Sequence, residues 1–493
     1  MHLLTGATGY IGGRLLRRLQ REEPALRCLC RNPEALGWRV APSTELVRGD
    51  LLQPASLGAV FSGVDTAYYL VHSMNSGEEF EAGERKAATN FAVAARQAGV
   101  RRIVYLGGLA HGDGLSTHMR SRAETGNILR SSGVPVIEFQ ASIVIGSGSA
   151  SFEMIRALVE RLPMMITPRW VNTAAQPIAI EDVIEYLVAA ARLPASGHLT
   201  FEIGGRDVTS YVGIMREYTR QRGLRRWIVR VPFLSLSLSS RWLTLITPVY
   251  AAIGRCLIDS VRNPSVVRNP AALAAFGVQP MGIRQAIERA LRNEDRETAE
   301  TRWCDARVGA VPRQQPEPAR DVLTNEQAIR LPVTAAQAFA PIRRIGGQTG
   351  WYFGNLLWRI RGLVDLMLGG VGMRRGRPDP ETPFPGSTLD FWRVETYEPD
   401  RCLRLVAEMK LPGRAWLEFR AELDNGSTVI RQLAQFEPRG LAGLLYWYLL
   451  SPVHALMFRG MLRRIAAASL HGAPMADVRE ARLSSGAVPA ARN

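Results

Sequence analysis

Within its first twenty residues the chain runs from the mostly apolar His2–Leu4 straight into Thr5-Gly6-Ala7-Thr8-Gly9-Tyr10-Ile11-Gly12-Gly13. It then enters Arg14–Gln20, with Leu15, Leu16 and Leu19 on one helical face. Strand, glycine turn and helix in immediate succession leave few folds open. Gly6 permits the tight turn, Gly9 lets the backbone approach a diphosphate, and Gly12 lets helix and strand pack closely. The helix start presents free N–H groups and a positive dipole end to phosphate. Thr8, Tyr10 and Ile11 lie inside the same turn and join the glycines as candidate cofactor contacts.

The next segments repeat this rhythm. Leu26–Cys30 reads as a second strand and ends in Arg31-Asn32. An acid there favours the ribose hydroxyl of NAD, whereas arginine favours the 2′-phosphate of NADP. Arg31 therefore points to NADP(H) over NAD, with a solvated turn residue as the plainer reading. Asp65–Val71 reads as the fourth strand, ending in His72-Ser73. Helix Glu84–Gln97, carrying Asn90, leads through Ala98-Gly99-Val100 to strand Arg102–Leu106. Strands alternating with helices predict an α/β Rossmann domain. Its parallel sheet is doubly wound, with ligand at the carboxyl ends of the strands.

The spacing Gly-x-x-Gly-x-x-Gly, with Thr5 ahead and Tyr10-Ile11 inside, resembles the extended and atypical short-chain dehydrogenase/reductases. The resemblance implies a third strand at Val47-Arg48-Gly49-Asp50-Leu51, with an adenine contact at Asp50, beside Leu51. It also implies a Tyr-x-x-x-Lys pair on the helix after strand five, here Ser116–Ser131, and a serine at that strand's end. Aligned on Ala123-Glu124, the pair reads His118-x-x-x-Arg122, and Gly107-Gly108 replaces the serine. The only lysines, Lys86 and Lys410, are elsewhere. Histidine moves protons near neutral pH; arginine bonds ribose or phosphate but does not tune by deprotonation. Three readings stand open: a redox site with His118 as proton donor, NADP(H) binding without chemistry as in nitrogen-metabolite-repressor-type regulators, and catalysis by other groups. His118 as a plain helix residue is also consistent with the sequence.

Val134–Glu138 and Phe139–Ile145 read as strand six, followed by Gly146–Ser149; Phe152–Leu162 is helical. Gln176–Val183 returns to the core and opens a helix that Asp182 is expected to cap. His198–Ile203 is the expected last strand. Leu234–Tyr250, rich in Leu and Ser, suits either an apolar substrate mouth or a core helix.

These segments give a domain over 1–293, with a small substrate-side subdomain from about 150, and a charged, proline-containing linker over 294–325. A different pattern follows over 326–472. Val333–Pro341 is a short helix and Trp351–Leu368 an apolar one. Four strand-like runs (Leu389–Tyr397, Leu403–Lys410, Ala415–Leu423, Ser427–Phe436) are separated by turn signals, among them Asn425-Gly426. The long helix Leu441–Ala468 closes the domain, and 473–493 reads as a flexible tail.

Short helices, antiparallel strands and one terminal helix resemble the α+β helix-grip fold of START and polyketide-cyclase domains. The runs D-F-W-R-V-E, A-E-M-K-L-P-G-R-A-W-L-E-F and L-Y-W-Y-L-L-S-P-V-H resemble an uncharacterised bacterial domain fused behind atypical reductases. The resemblance implies a sheet wrapping the last helix around an apolar cavity. Trp358, Trp392, Trp416, Tyr446 and Trp447 then either line a pocket for a hydrophobic ligand or simply form core. Glu395, Glu408, Glu418 and His454 are candidates to face it.

Net charge is +16, with arginine supplying 59 of the 61 basic residues. They are scattered, several with acids at helical spacing, and show no dense basic run with interleaved aromatics. Nucleic acid is therefore not an expected partner; a hydrophobic small molecule is, with peripheral membrane contact left open. Five cysteines without metal-type spacing fit a reducing compartment, the cytoplasm, with contact at the inner membrane face left open. No metal site is expected. The glycine motif at residue 6 leaves no room for a signal peptide, and the short first strand suggests a start codon upstream. Leu441–Phe458 and Pro232–Gly254 approach the length of a membrane span. The first is broken by Ser451-Pro452 and the second carries Arg241, so both read as buried or surface-lying helices.

Overall fold

The structure is a computed structural model. It describes residues 1–470 apart from 231–258, 296–321 and the short stretches 23–24, 34–35, 38–39, 73–77, 110, 113, 168, 195–196, 262, 369, 374–375, 378, 380 and 425. The mouth expected over Leu234–Tyr250, most of the expected linker, the tail, Cys256 and Cys304 lie outside the described residues. Two compact units divide the chain, 1–309 and 310–493.

The first unit is an α/β domain around a seven-stranded parallel sheet. Its elements are β1 (His2–Thr5), α1 (Tyr10–Glu22), β2 (Leu26–Cys30), β3 (Thr44–Arg48), β4 (Thr66–Tyr69), α2 (Glu78–Gln97), β5 (Arg102–Gly108), α3 (Thr117–Ser131), β6 (Val136–Ala141), α4 (Ala150–Arg161), α5 (Ile180–Ala190), β7 (Leu199–Ile203), α6 (Tyr211–Gln221) and α7 (Ile283–Asp295). The sheet order β7-β6-β5-β4-β1-β2-β3 reverses direction between β1 and β4, which opens a crevice at their carboxyl ends. Strand β2 is buried along its whole length because helices cover both faces. Leu15, Leu16 and Leu19 of α1 pack with Val183 and Leu187 of α5 on one face; Phe91 and Ala95 of α2 pack with Leu129 of α3 on the other. Burial stabilises each such leucine by roughly 2 kcal/mol. A third cluster joins α4, α6 and α7 through Phe152, Ile155, Tyr218 and Ile287 and builds the wall opposite the sheet.

Several expectations shift. Strand β3 ends at Arg48, so Asp50 and Leu51 lie in the turn beyond it rather than within it. Strand β5 runs on through Gly107-Gly108. Expected strand six splits: Val144–Ile145 leaves the sheet and pairs with Ile178–Ala179. Asp182 does not cap its helix, which starts after Ala179; it is buried and accepts the Met281 amide at 2.8 Å. Burial raises its pKa to about 6. Burial also pushes the Cys28 thiol to about 12 and Cys30 to about 11, so both are inert core residues.

The second unit is α+β: β8 (Leu323–Leu331), α8 (Ala335–Arg343), α9 (Asn355–Met367), β9 (Thr388–Leu389), β10 (Trp392–Glu398), β11 (Cys402–Ala407), β12 (Gly413–Asp424), β13 (Ser427–Pro438) and α10 (Gly440–Leu470). Its antiparallel sheet has the order β8-β13-β12-β11-β10-β9. Strand β8 begins inside the segment expected to be linker, and its alternating half-exposed, polar sequence hid it. Helix α10 spans the expected long helix Leu441–Ala468 and runs unbroken through Pro452. Met461, Leu462 and Ile465, in its second half, fill the core over the sheet.

Candidate active site

The glycine turn is built as its residues require. Gly6 has φ +75°, a left-handed conformation, and a Cβ there would meet the Leu70 carbonyl oxygen at 2.5 Å. The Gly9 amide donates to the Gly6 oxygen at 2.9 Å. A Cβ on Gly12 would sit 2.1 Å from that oxygen, so only glycine lets α1 approach β1. A Cβ on Gly9 would meet nothing closer than the Gly6 oxygen at 3.2 Å, so the space beside it is free for a ligand. Tyr10, Ile11 and Gly12 open α1, where amides have no intrahelical acceptor. This turn fits a dinucleotide diphosphate.

From it a cavity of about 300 Å³ runs along the carboxyl ends of β4, β5 and β6. Its lining takes in Gly9–Gly12, the polar His72, His118 and Arg122, and the largely apolar Leu109, Met119, Ile143, Val144, Met154, Tyr211 and Val261. Gly6, Thr8, Arg31, Asp50 and Leu51 are outside its lining. Arg31 is exposed just beyond β2, whose Leu29 pairs with Thr5, so it stands beside the glycine turn. Asp50 Oδ1 caps the Leu52 amide at 3.0 Å. Leu51 buries its side chain in the core, and Asn90 Nδ2 donates to its carbonyl at 2.7 Å.

His118 and Arg122 both reach the cavity. Ser116 caps their helix by accepting the Met119 amide, which fixes the first turn. Arg122 donates to the Leu106 carbonyl, and the Tyr105 hydroxyl donates to the Arg122 carbonyl at 2.9 Å. Gly108 sits against Met119 and Arg122; a Cβ there would meet Met119 Cε at 2.7 Å. A serine there would have to push aside the flexible end of Met119, so the glycine leaves room that Met119 and Arg122 fill. Burial foremost, then the charges of His72 and Arg122, pushes the His118 pKa down to about 2. The imidazole is therefore neutral at rest, not the ready acid that its unperturbed pKa suggests.

The sequence reading missed what stands behind it. The His72 ring lies 4.8 Å from the His118 ring, centroid to centroid. His72 Nδ1 meets Glu84 Oε1 at 2.9 Å, and Ser121 Oγ donates to Glu84 Oε2 at 2.9 Å. Burial, then Arg122, lowers the His72 pKa against the raising effect of Glu84. A carboxylate on one ring nitrogen orients the other, a relationship used to position catalytic histidines. The available signal was a histidine at the carboxyl end of a parallel strand, where ligands bind in such sheets. The cavity's phenols are held protonated: burial pushes Tyr105 up to about 12 and raises Tyr69 and Tyr211.

In the second unit the candidate groups are already engaged. Trp358 and Trp392 pack with Trp351 and Phe391 in the core, and Trp447 stacks on Phe436 at 5.7 Å. Tyr446 lies beside them, and Arg404 sits over Trp416 at 5.9 Å. Glu408 pairs with Arg393, Glu395 with Arg404, and Glu418 with Arg404 and Arg420. Among the described residues no cluster of three or more His, Cys, Asp or Glu is arranged to hold a metal.

Residues 6–133 match a family model described as NAD(P)H-binding, and residues 318–461 match a family of proteins of unknown function, DUF2867. The first unit thus has a Rossmann-type sheet, and its residues 6–133 are similar to NAD(P)H-binding domains. A ceramide reductase of Caulobacter vibrioides is 27% identical over 232 residues, 46% of this chain and 73% of that protein. Similar solved structures include a nucleoside-diphosphate-sugar epimerase from Staphylococcus aureus, 17% identical with a TM-score of 0.48. The match covers 58% of this chain and 99% of that one. A UDP-galactose 4-epimerase is 18% identical with a TM-score of 0.46, covering 60% and 99%.

Proposed function

We propose that the chain is an NADP(H)-dependent oxidoreductase acting on a hydrophobic, lipid-like small molecule. The reading rests on one observation: a single cavity is lined by the glycine turn, the His118–Arg122 pair and a set of apolar side chains. The distant relative named for ceramide reduction favours a long-chain substrate. Gly6, Thr8, Gly9, Tyr10, Ile11 and Gly12 hold the diphosphate, and Arg31 takes the 2′-phosphate. Bound NADP(H) supplies the hydride chemistry.

The chain's own residues then handle charge and protons at the carbonyl oxygen. The neutral His118 N–H donates a hydrogen bond to it, and Arg122, fixed by the Leu106 carbonyl, balances the charge that gathers there. Glu84 fixes the His72 ring through Nδ1, and that ring packs on His118 at 4.8 Å and sets its orientation; solvent water reaching the cavity supplies the proton that the product oxygen takes up. The second unit, read as a helix-grip domain, presents hydrophobic ligand; its antiparallel sheet packed on one long terminal helix supports that reading. Fluorescence titration with NADPH and NADH, followed by NADPH consumption with a panel of long-chain carbonyl compounds, tests the proposal. Binding without turnover, unchanged by His118→Ala, would refute it.

That outcome would favour a second reading, a regulator that senses NADP(H) and an apolar ligand. Its support is the neutral His118 and the arginine where a lysine would serve catalysis.

A further inference from the structure

The second unit leaves a large apolar surface uncovered. On α10, Leu441, Leu445, Tyr448, Leu449, Val453 and Leu456 recur at helical spacing on one exposed face, Leu441 at 82% and Leu449 at 72% exposure. On α9, Leu356, Ile360, Leu363, Val364 and Met367 form a second such face. The two helices meet: Gly354, just before α9, lies against Met457, and a Cβ on Gly460 would strike the Phe353 ring at 2.3 Å. Both also flank the turn between β11 and β12. Arg361 donates to the Lys410 carbonyl at 3.0 Å, and Gly443 packs against the Pro412 carbonyl. A soluble protein rarely exposes two adjoining apolar helix faces of this extent without a partner.

The rim says what the partner is. Arg359, Lys410, Arg414, Arg439 and Arg459 are exposed around these faces, and none is ion-paired among the described residues. The carboxylates on the same segments are withdrawn: Asp365 is fully buried, accepting the Gly372 and Lys410 amides, and Glu437 is half-buried. An apolar face rimmed by unpaired cations, with Tyr448 exposed and Trp447 beside it, is suited to the interface of a bilayer with anionic headgroups. We propose that the second unit docks on such a membrane through α9 and the first half of α10, lying on it rather than crossing it.

Helix α10 is long and apolar enough to cross a membrane. Its second half is core, however, and its first half is tied to the sheet by Gly443 against Pro412 and Pro438 and by Trp447 stacked on Phe436. Crossing would tear out both. The inference does not depend on the oxidoreductase reading.

Flotation of the full chain with vesicles tests it, using phosphatidylcholine alone and phosphatidylcholine with roughly one phosphatidylglycerol in three. The protein should float with the anionic vesicles, bind neutral ones roughly tenfold less, and be released by high salt but not remain as an integral protein does. Leu445→Glu/Leu449→Glu, and separately Leu363→Glu/Met367→Glu, should each cut binding to anionic vesicles roughly tenfold, with thermal melts and NADPH titration unchanged. No flotation with the wild type, equal binding to neutral vesicles, or full binding by a well-folded variant overturns the proposal. So does a concentration-dependent dimer that both variants abolish, with no vesicle binding: the face would then belong to a second copy. If a variant misfolds, the wild-type comparison of the two vesicle types still decides.

Discussion

The two units spend their unusual residues in opposite places. In the first, charge and imidazole are drawn inward: His72, Glu84, His118 and Arg122 meet at the end of a cavity whose surroundings hold both rings neutral. In the second, ionisable groups cancel in pairs, the aromatics fill the core, and apolar side chains are left outside on α9 and α10. A buried polar cluster is costly and an exposed apolar face is costly. Each persists where a ligand or surface repays it, so the first unit reads as the place of chemistry and the second as the place of attachment.

The sharpest way to break this division is at the glycine turn. Gly12→Val should unfold or severely destabilise the first unit, by about 3 kcal/mol or more, because backbone oxygen stands where the side chain must go. The second unit's near-ultraviolet signal, dominated by its tryptophans, should survive. Loss of both signals together would show that the units do not fold separately. Gly9→Ala should lower the melt only slightly, through its one tight contact with the Gly6 oxygen at 3.2 Å, yet weaken NADPH binding by roughly a hundredfold, since its Cβ otherwise enters ligand space. A normal dissociation constant would remove the diphosphate from that position.

Glu84→Gln is expected to slow NADPH-dependent turnover by roughly tenfold to a hundredfold while leaving cofactor binding alone, because it releases the His72 ring. An unchanged rate would make the His72–Glu84 pair purely structural. Arg31→Ala should cost roughly tenfold in NADPH affinity and nothing for NADH.

The smallest effect belongs to the second unit. Asp390 has φ 53° and accepts Trp351 Nε1 at 2.8 Å and the Gly347 amide; burial raises its pKa from 3.8 to about 6. The folded state thus binds more protons than the unfolded between about pH 4 and 6, so stability falls as pH rises through that window and levels off above it. Asp390→Asn keeps the acceptor and suits the left-handed backbone. Its stability relative to wild type should rise by on the order of 2 kcal/mol from pH 4 to 7, read from denaturant melts. A flat difference would mean that the carboxyl titrates normally.

What could be read from the chain divides along the same physical line. The glycine turn was legible because its backbone conformation excludes other residues at Gly6 and Gly12, so the requirement is written in residue identity. That the sheet is parallel followed from strands alternating with helices. Register was less visible: the family pattern carried the third strand on to Leu51, although Gly49 and Asp50 already turn the chain after Arg48. Strand β8 was missed because, as a half-exposed edge, it carries polar residues at every other position. The His118–Arg122 pair came from a family pattern. The His72–Glu84 contact carries no local spacing, because it joins a strand end to a helix across the crevice. The neutrality of His118 likewise depends on burial, which folding alone creates.

Calorimetric titration of the well-folded full chain with NADPH tests the central claim most directly. Saturable one-to-one binding, tighter than NADH and lost in Gly9→Ala, is the predicted result. Flat traces with NADPH, NADH and their oxidised forms would contradict it.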